Sequence, residues 1–116
     1  MKKYEEAVLL RIFLGESDEH DGRPLYESIV LKAREMGIAG ATVLRGPMGY
    51  GKSSRLHTAK ILRLSEDLPL VIEIVDAMER IEALLDALEP MMGSGLITLE
   101  AVRVVRYGRG PGFEGD

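Results

Sequence analysis

A chain of 116 residues, 46% hydrophobic and 29% charged, has the size and balance of one soluble globular domain. Its 15 basic against 19 acidic residues give a net charge of −4, the wrong sign for general nucleic-acid binding, and no apolar run approaches the roughly 18 residues of a membrane span. With no cysteine, a disulfide framework and a thiolate metal site are both excluded, a composition suited to a reducing cytoplasm.

The N-terminal MKKYEEAVLLRIFL has Glu5, Glu6 and Arg11 inside its apolar stretch and no small-residue cleavage site after it, which argues against a signal peptide. Ala7 to Leu14 alternates as a strand, with Val8, Leu10, Ile12 and Leu14 on one face and Ala7, Leu9, Arg11 and Phe13 on the other. After the loop GESDEHDGR, Pro24 suits an early helical position, and Leu25, Ile29, Ala33 and Met36 mark one face of a helix ending near Gly37. Strands are predicted over Ala39 to Arg45 and over Leu68 to Asp76. Between them, SSRLHTAKILRLS fits a helix or a strand, because Leu56, Thr58, Lys60, Leu62 and Leu64 alternate. Asp76 and Glu79 have the spacing of a capping box for a second helix lined by Met78, Ile81, Leu85, Leu88 and Met92. Gly93, Ser94 and Gly95 stop that helix, and Leu96 to Tyr107 makes the last strand. One domain over residues 1–107 and a flexible tail over 108–116, GRGPGFEGD by composition, complete the chain.

This order predicts an α+β, ferredoxin-like βαββαβ fold: an antiparallel four-stranded sheet with two helices on one face. Two helices leave the other sheet face open, and Leu9, Phe13, Val71, Val75, Leu99, Ala101 and Val105 are expected on it. An apolar face of that extent on a soluble chain marks an interface, so a homo-oligomer built on it is expected.

GPMGYGKS, Gly46 to Ser53, fits the phosphate-loop pattern, in which backbone N–H groups cradle phosphates, the lysine reaches the terminal ones and the hydroxyl binds magnesium. A hydrolase of that class needs the loop after a strand and directly before a helix, within a larger, mostly parallel sheet. Here Glu73 interrupts VIEIVD, a candidate for the magnesium-binding strand, and Asp76 has a sufficient role as helix cap. The hydrolase reading, in which Lys52 carries turnover, is therefore the least favoured.

GATVLRG (Gly40 to Gly46), MGYG and SSR (Met48 to Gly51, Ser53 to Arg55), LSEDLPLVIEIVD (Leu64 to Asp76) and the GSG turn together resemble the domain-of-unknown-function family numbered 190, relatives of the PII signal-transduction proteins. The resemblance runs from about Tyr4 to Tyr107. It implies a ferredoxin-like protomer assembled as a trimer with sheets facing inward, and an adenine nucleotide (ATP, ADP or AMP) in clefts between subunits. It also implies a mobile loop, here residues 46–63, that docks on a target protein, with a membrane transporter as one candidate. On this view the chain is not an enzyme. GSGL is shorter than the PII turn and lacks its basic residue, so phosphate binding there would rely on the N–H groups of Gly93, Ser94 and Gly95. Tyr50 sits too near the loop's base to match the tyrosine modified in PII proteins.

Cations that would offset phosphate charge are Arg45, Lys52, Arg55, Arg103 and Arg106. Gly46, Gly49 and Gly51 would let the loop curl its N–H groups around a phosphate, and Tyr107 would border the adenine. Asp18, Glu19, His20 and Asp21 lack the spacing of a calcium loop and read as a solvated acidic turn. His57 has no identifiable catalytic partners, and Met78, Met91 and Met92 read as core filling. Three readings result: a nucleotide-binding regulator, with magnesium as a possible co-ligand, a ligand-independent docking trimer, and the small hydrolase.

Overall fold

Eleven residues, Glu5–Gly15, form strand β1, in a computed structural model that describes residues 3–50, 56–58, 68–93 and 95–107. The other strands of the sheet are β2 (Thr42–Arg45), β3 (Pro69–Asp76) and β4 (Leu96–Val104), and the helices are α1 (Leu25–Glu35) and α2 (Met78–Leu88). The sheet order is β2-β3-β1-β4, with every neighbouring pair antiparallel. Each helix thus links two strands that have a third between them, which is the split crossover of a ferredoxin-like fold.

Period-2 alternation builds the core. Leu10, Ile12 and Leu14 of β1 lie opposite Ile74, Ile72 and Leu70 of β3, and all six are buried. Leu25, Ile29 and Ala33 of α1 and Ile81, Leu84 and Leu88 of α2 close over them. Each large side chain so removed from water contributes about 1.5–3 kcal/mol. Gly37 ends α1 with φ of +74°, which lets its N–H bond to Arg34 O at 3.0 Å and that of Ile38 to Ala33 O at 3.0 Å. Among the described residues no helix is long and apolar enough to cross a membrane.

Several expectations change. Pro24 caps α1 from outside rather than entering it, after a small ribbon in which Glu19–His20 pairs with Arg23–Pro24. Asp18 organises that turn by accepting the Gly15 N–H at 2.9 Å, and His20 lies 3.3 Å from Asp21. Asp76 forms no capping box: the N-cap of α2 is Ala77, with no side-chain bond to the helix. Met78 is exposed, because Ile81, Leu84 and Leu88 are the positions that α2 buries; a short 3-10 turn over Glu89–Met91 follows.

The largest correction concerns β4. Leu99 pairs with Leu10 and Ala101 with Val8, so both lie on the helix side, and Leu96, Thr98, Glu100 and Val102 occupy the open side. With apolar residues at both parities, alternation along β4 alone does not choose a face; the register with β1 does. Val105 lies beyond the end of the strand. The open face is therefore mixed: Leu9, Phe13, Val71, Val75 and Leu44 surround Arg11, which donates to Glu73 on β3 and Glu100 on β4 at 2.9 and 3.0 Å.

Candidate functional site

At the end of the sheet where β1 begins, a cleft of about 540 Å³ opens on the face away from the helices. β1 supplies Leu9 to it, β3 supplies Glu73 and Val75, and the segment Ala39–Thr42 forms a small-residue wall. The chain after β4 completes it with Val105, Arg106 and Tyr107. Its volume lies within the range of small-molecule sites, and the polar residues among its lining are Thr42, Glu73, Arg106 and Tyr107. Apolar walls suit a flat heterocycle, Glu73 can accept from a ring N–H, and Arg106 can attract an anion. Hydrogen bonds from Arg11 to Glu73 first, and to Glu100 second, hold that arginine's pKa above its ordinary value, so Glu73 carries a permanent positive partner at its back.

The wall is tied to the rest of the fold by Asp76, a buried residue at the end of β3. Its carboxylate accepts the Ala39 N–H at 3.0 Å, the Ala77 N–H at 2.7 Å and Arg80 Nε at 3.1 Å. Arg80 Nη2 donates in turn to the Gly37 carbonyl. Burial pushes the Asp76 pKa up, but the two backbone donors and Arg80 outweigh it and hold the carboxyl below the ordinary value. Burial, then the negative charges of Asp76 and Glu5, push the Tyr107 phenol up, against Arg80.

The residues singled out from sequence are distributed over three places. Arg106 and Tyr107 line the cleft. Arg103 pairs with Glu6 on the helix side of β4, and its guanidinium lies 5.2 Å from the Tyr4 ring centroid. Arg45, Gly46 and Gly49 follow Thr42 toward the opposite end of the sheet, with Arg45 about 10 Å beyond Thr42 at about 3.3 Å per strand residue, and Gly95 lies there beside Phe13 with Gly93 two residues before it. There Arg45 is bonded to Glu16, and the Gly46 N–H is used by Pro69 O at 2.8 Å. Neither Gly46 nor Gly49 has positive φ; a Cβ on them would meet Pro69 Cγ at 3.2 and 3.3 Å. What both share in this protomer is close approach to the proline ring. Gly95 has φ of +117°, and a Cβ there would come within 2.9 Å of Phe13 O. Gly51, Lys52, Arg55 and Ser94 lie outside the described residues, as do the tail over 108–116 and Lys60, Leu62 and Leu64 of the alternating segment.

The segment after GPMGYGKS returns as a strand: Leu56–Thr58 pairs antiparallel with Met48–Tyr50. No helix therefore follows the loop directly among the described residues, and the sheet is antiparallel, so the surroundings required by a phosphate-loop hydrolase are not formed there. Sequence reasoning assigned Leu9 and Val75 to an interface rather than to a cleft, and missed Glu73 and the Ala39–Thr42 wall. The available signal was the acid in the middle of VIEIVD: a charge on an otherwise apolar strand has to face a partner or a cleft.

A sequence profile of DUF190, a family described as Uncharacterized ACR, matches residues 7–104. A UPF0166 protein of Aquifex aeolicus is 41% identical over 97 residues, covering 84% of this chain and 91% of that one. Among solved structures, CPII, a nitrogen regulatory PII-like protein from Thiomonas intermedia bound to ADP, AMP and bicarbonate, superposes with a TM-score of 0.72 at 18% identity, covering 91% of this chain and 94% of that one. A PII-like signaling protein from Thermus thermophilus gives a TM-score of 0.64 at 17% identity, covering 88% and 92%. The fold is that of the PII-like proteins.

Proposed function

The chain belongs to the DUF190 family, and on that premise we propose that it is a non-catalytic, PII-like regulatory protein that binds an adenine nucleotide in clefts between subunits of a trimer. The observation that carries this reading is the cleft itself, where apolar walls, Thr42, Glu73, Arg106 and Tyr107 converge on the open sheet face. A fold shared with a protein bound to ADP and AMP supports it. The base lies against Leu9 and Val75 with its amino group toward Glu73, and Arg106 offsets phosphate charge. In this protomer Arg45 is engaged by Glu16, and Gly46 and Gly49 pack on Pro69, so these three are proposed to serve the cleft of a neighbouring copy. Gly51, Lys52, Arg55 and the turn Gly93 to Gly95 are proposed on the same basis, and magnesium would ride on the phosphates. The trimer closes over the open sheet face.

Occupancy is transmitted through the loop over residues 46–63 to a target protein, with a membrane transporter as one candidate. Met48 and Tyr50, 53% and 72% exposed at the start of that loop, are the side chains such a partner would bury. The test is a calorimetric titration with ATP, ADP and AMP, each with and without magnesium, followed by assay of the recovered nucleotide. Saturation near one nucleotide per chain with the nucleotide intact is expected. No binding to any of the three would overturn the reading, and turnover would reinstate the hydrolase.

A further inference from the structure

The Ala39–Ala41 wall is unusual in having space on both sides. Its outer side faces the cleft, and its inner side lines a second hollow of about 260 Å³ with Val30, Ala33, Arg34 and Ile38. Ala39, Gly40 and Ala41 are exposed, and a Cβ on Gly40 would meet nothing within 4 Å. A wall backed by a hollow is not fixed there by the close packing that positions most of a protein interior. Among the described residues, hydrogen bonds tie the start of the wall and the turn before it: the Ala39 N–H to Asp76, and the Gly37 carbonyl to Arg80. Both acceptor and donor belong to one pair, Asp76 and Arg80, joined at 3.1 Å at the N-terminus of α2.

We infer that Asp76 and Arg80 form a latch that positions the Ala39–Ala41 wall, so that affinity in the cleft is set by a carboxylate that the ligand does not touch. The pair is a positioning device, and the inference rests on the nucleotide-binding reading for its effect on affinity, though not for its effect on the wall. Asp76 sits 6% exposed, and the sequence separation of 37 residues between it and Ala39 makes the contact a purely tertiary one. The latch also lies beside the other flank of the cleft, since the Asp76 charge bears on Tyr107. Release of the latch would leave the wall free to move into the hollow behind it, and the cleft would lose its preformed width.

The experiment compares the full chain with Asp76→Asn, Arg80→Gln and the double variant, by residue-resolved amide hydrogen exchange and by calorimetric titration with ADP. Arg80 is half exposed, so Arg80→Gln provides a folded protein even where Asp76→Asn does not. In both single variants the Ala39 amide is expected to exchange about tenfold faster or more, with the Leu10 and Ile72 amides within about twofold of wild type. ADP affinity falls about tenfold at unchanged stoichiometry. The double variant is no weaker than Asp76→Asn alone, because both changes remove one latch. Acceleration spread evenly over β1 and β3 would mean general destabilisation and would overturn the latch, as would an unchanged Ala39 amide in Arg80→Gln. Unchanged ADP affinity with a released wall would overturn its control of the cleft. If the wild type binds no ADP, the nucleotide reading fails, and the Ala39 amide by itself decides whether the latch holds the wall.

Discussion

At one end of the sheet glycines crowd against backbone and a proline ring: Gly46 and Gly49 against Pro69, Gly95 against the Phe13 carbonyl. At the other end side chains stand around open space, with Glu73, Arg106 and Tyr107 at the cleft and a wall held by Asp76 and Arg80. Both ends contain glycine, yet Gly40 at the cleft has empty space where a Cβ would go, whereas Gly95 has an oxygen. The contrast separates two reasons for glycine in a strand–loop junction. Close approach between chain segments makes it obligatory, and an open wall merely permits it.

Five substitutions would break or sharpen that contrast. The greatest loss is expected from Gly95→Ala, where positive φ and the 2.9 Å contact act together; it should cost about 2–3 kcal/mol in urea unfolding with an unchanged slope. A cost within about 0.5 kcal/mol would mean that this end of the sheet is not rigid.

Next is the latch, whose pH dependence has a definite sign. Asp76 titrates below its ordinary value in the fold, so its contribution is present above the unfolded pKa of about 3.9 and is lost as pH falls through the folded value. Asp76→Asn should be less stable than wild type by about 1–3 kcal/mol at pH 7. That difference should shrink below about pH 4, as urea unfolding at a series of pH values would register. A difference that grows on acidification contradicts the assignment.

Smaller in effect is the pair of arginines three residues apart at the end of β4. Arg106→Ala is expected to weaken ADP about tenfold, and Arg103→Ala to leave affinity within about twofold while costing about 0.5 kcal/mol through Tyr4. Equal losses of affinity would place both guanidinium groups at the ligand, through a neighbouring subunit. The smallest change is Gly46→Ala, at about 0.5–1 kcal/mol, which should vanish in a Pro69→Ala background because the ring is what the new methyl meets. Lost nucleotide affinity with stability intact would give Gly46 a phosphate contact in the cleft of a neighbouring copy.

The elements and their order were legible because each rests on a local pattern: Leu10, Ile12 and Leu14 at period two, Leu25, Ile29 and Ala33 at four-residue steps, Gly37 where a helix must end. The cleft was legible only at its C-terminal flank, through Arg106 and Tyr107. Glu73 showed itself as an irregularity, and its meaning depended on Arg11, 62 residues away.

By itself, then, the amino-acid sequence determined the alternation that makes β1 and β3 a buried pair, the two amphipathic helices, and hence a split crossover on one face of an antiparallel sheet. Tertiary structure decided what alternation leaves degenerate or does not encode. Register against Leu10 turned Leu99 to the helix side and carried Arg103 with it, away from the cleft. Chain reversal after Gly37 brought the Ala39 N–H to Asp76 and made a helix-cap candidate into the anchor of a wall. The physical reason is the range of the interactions. Propensity and periodicity act over a few neighbouring residues, whereas a buried carboxylate takes whichever donors the folded chain brings within about 3 Å.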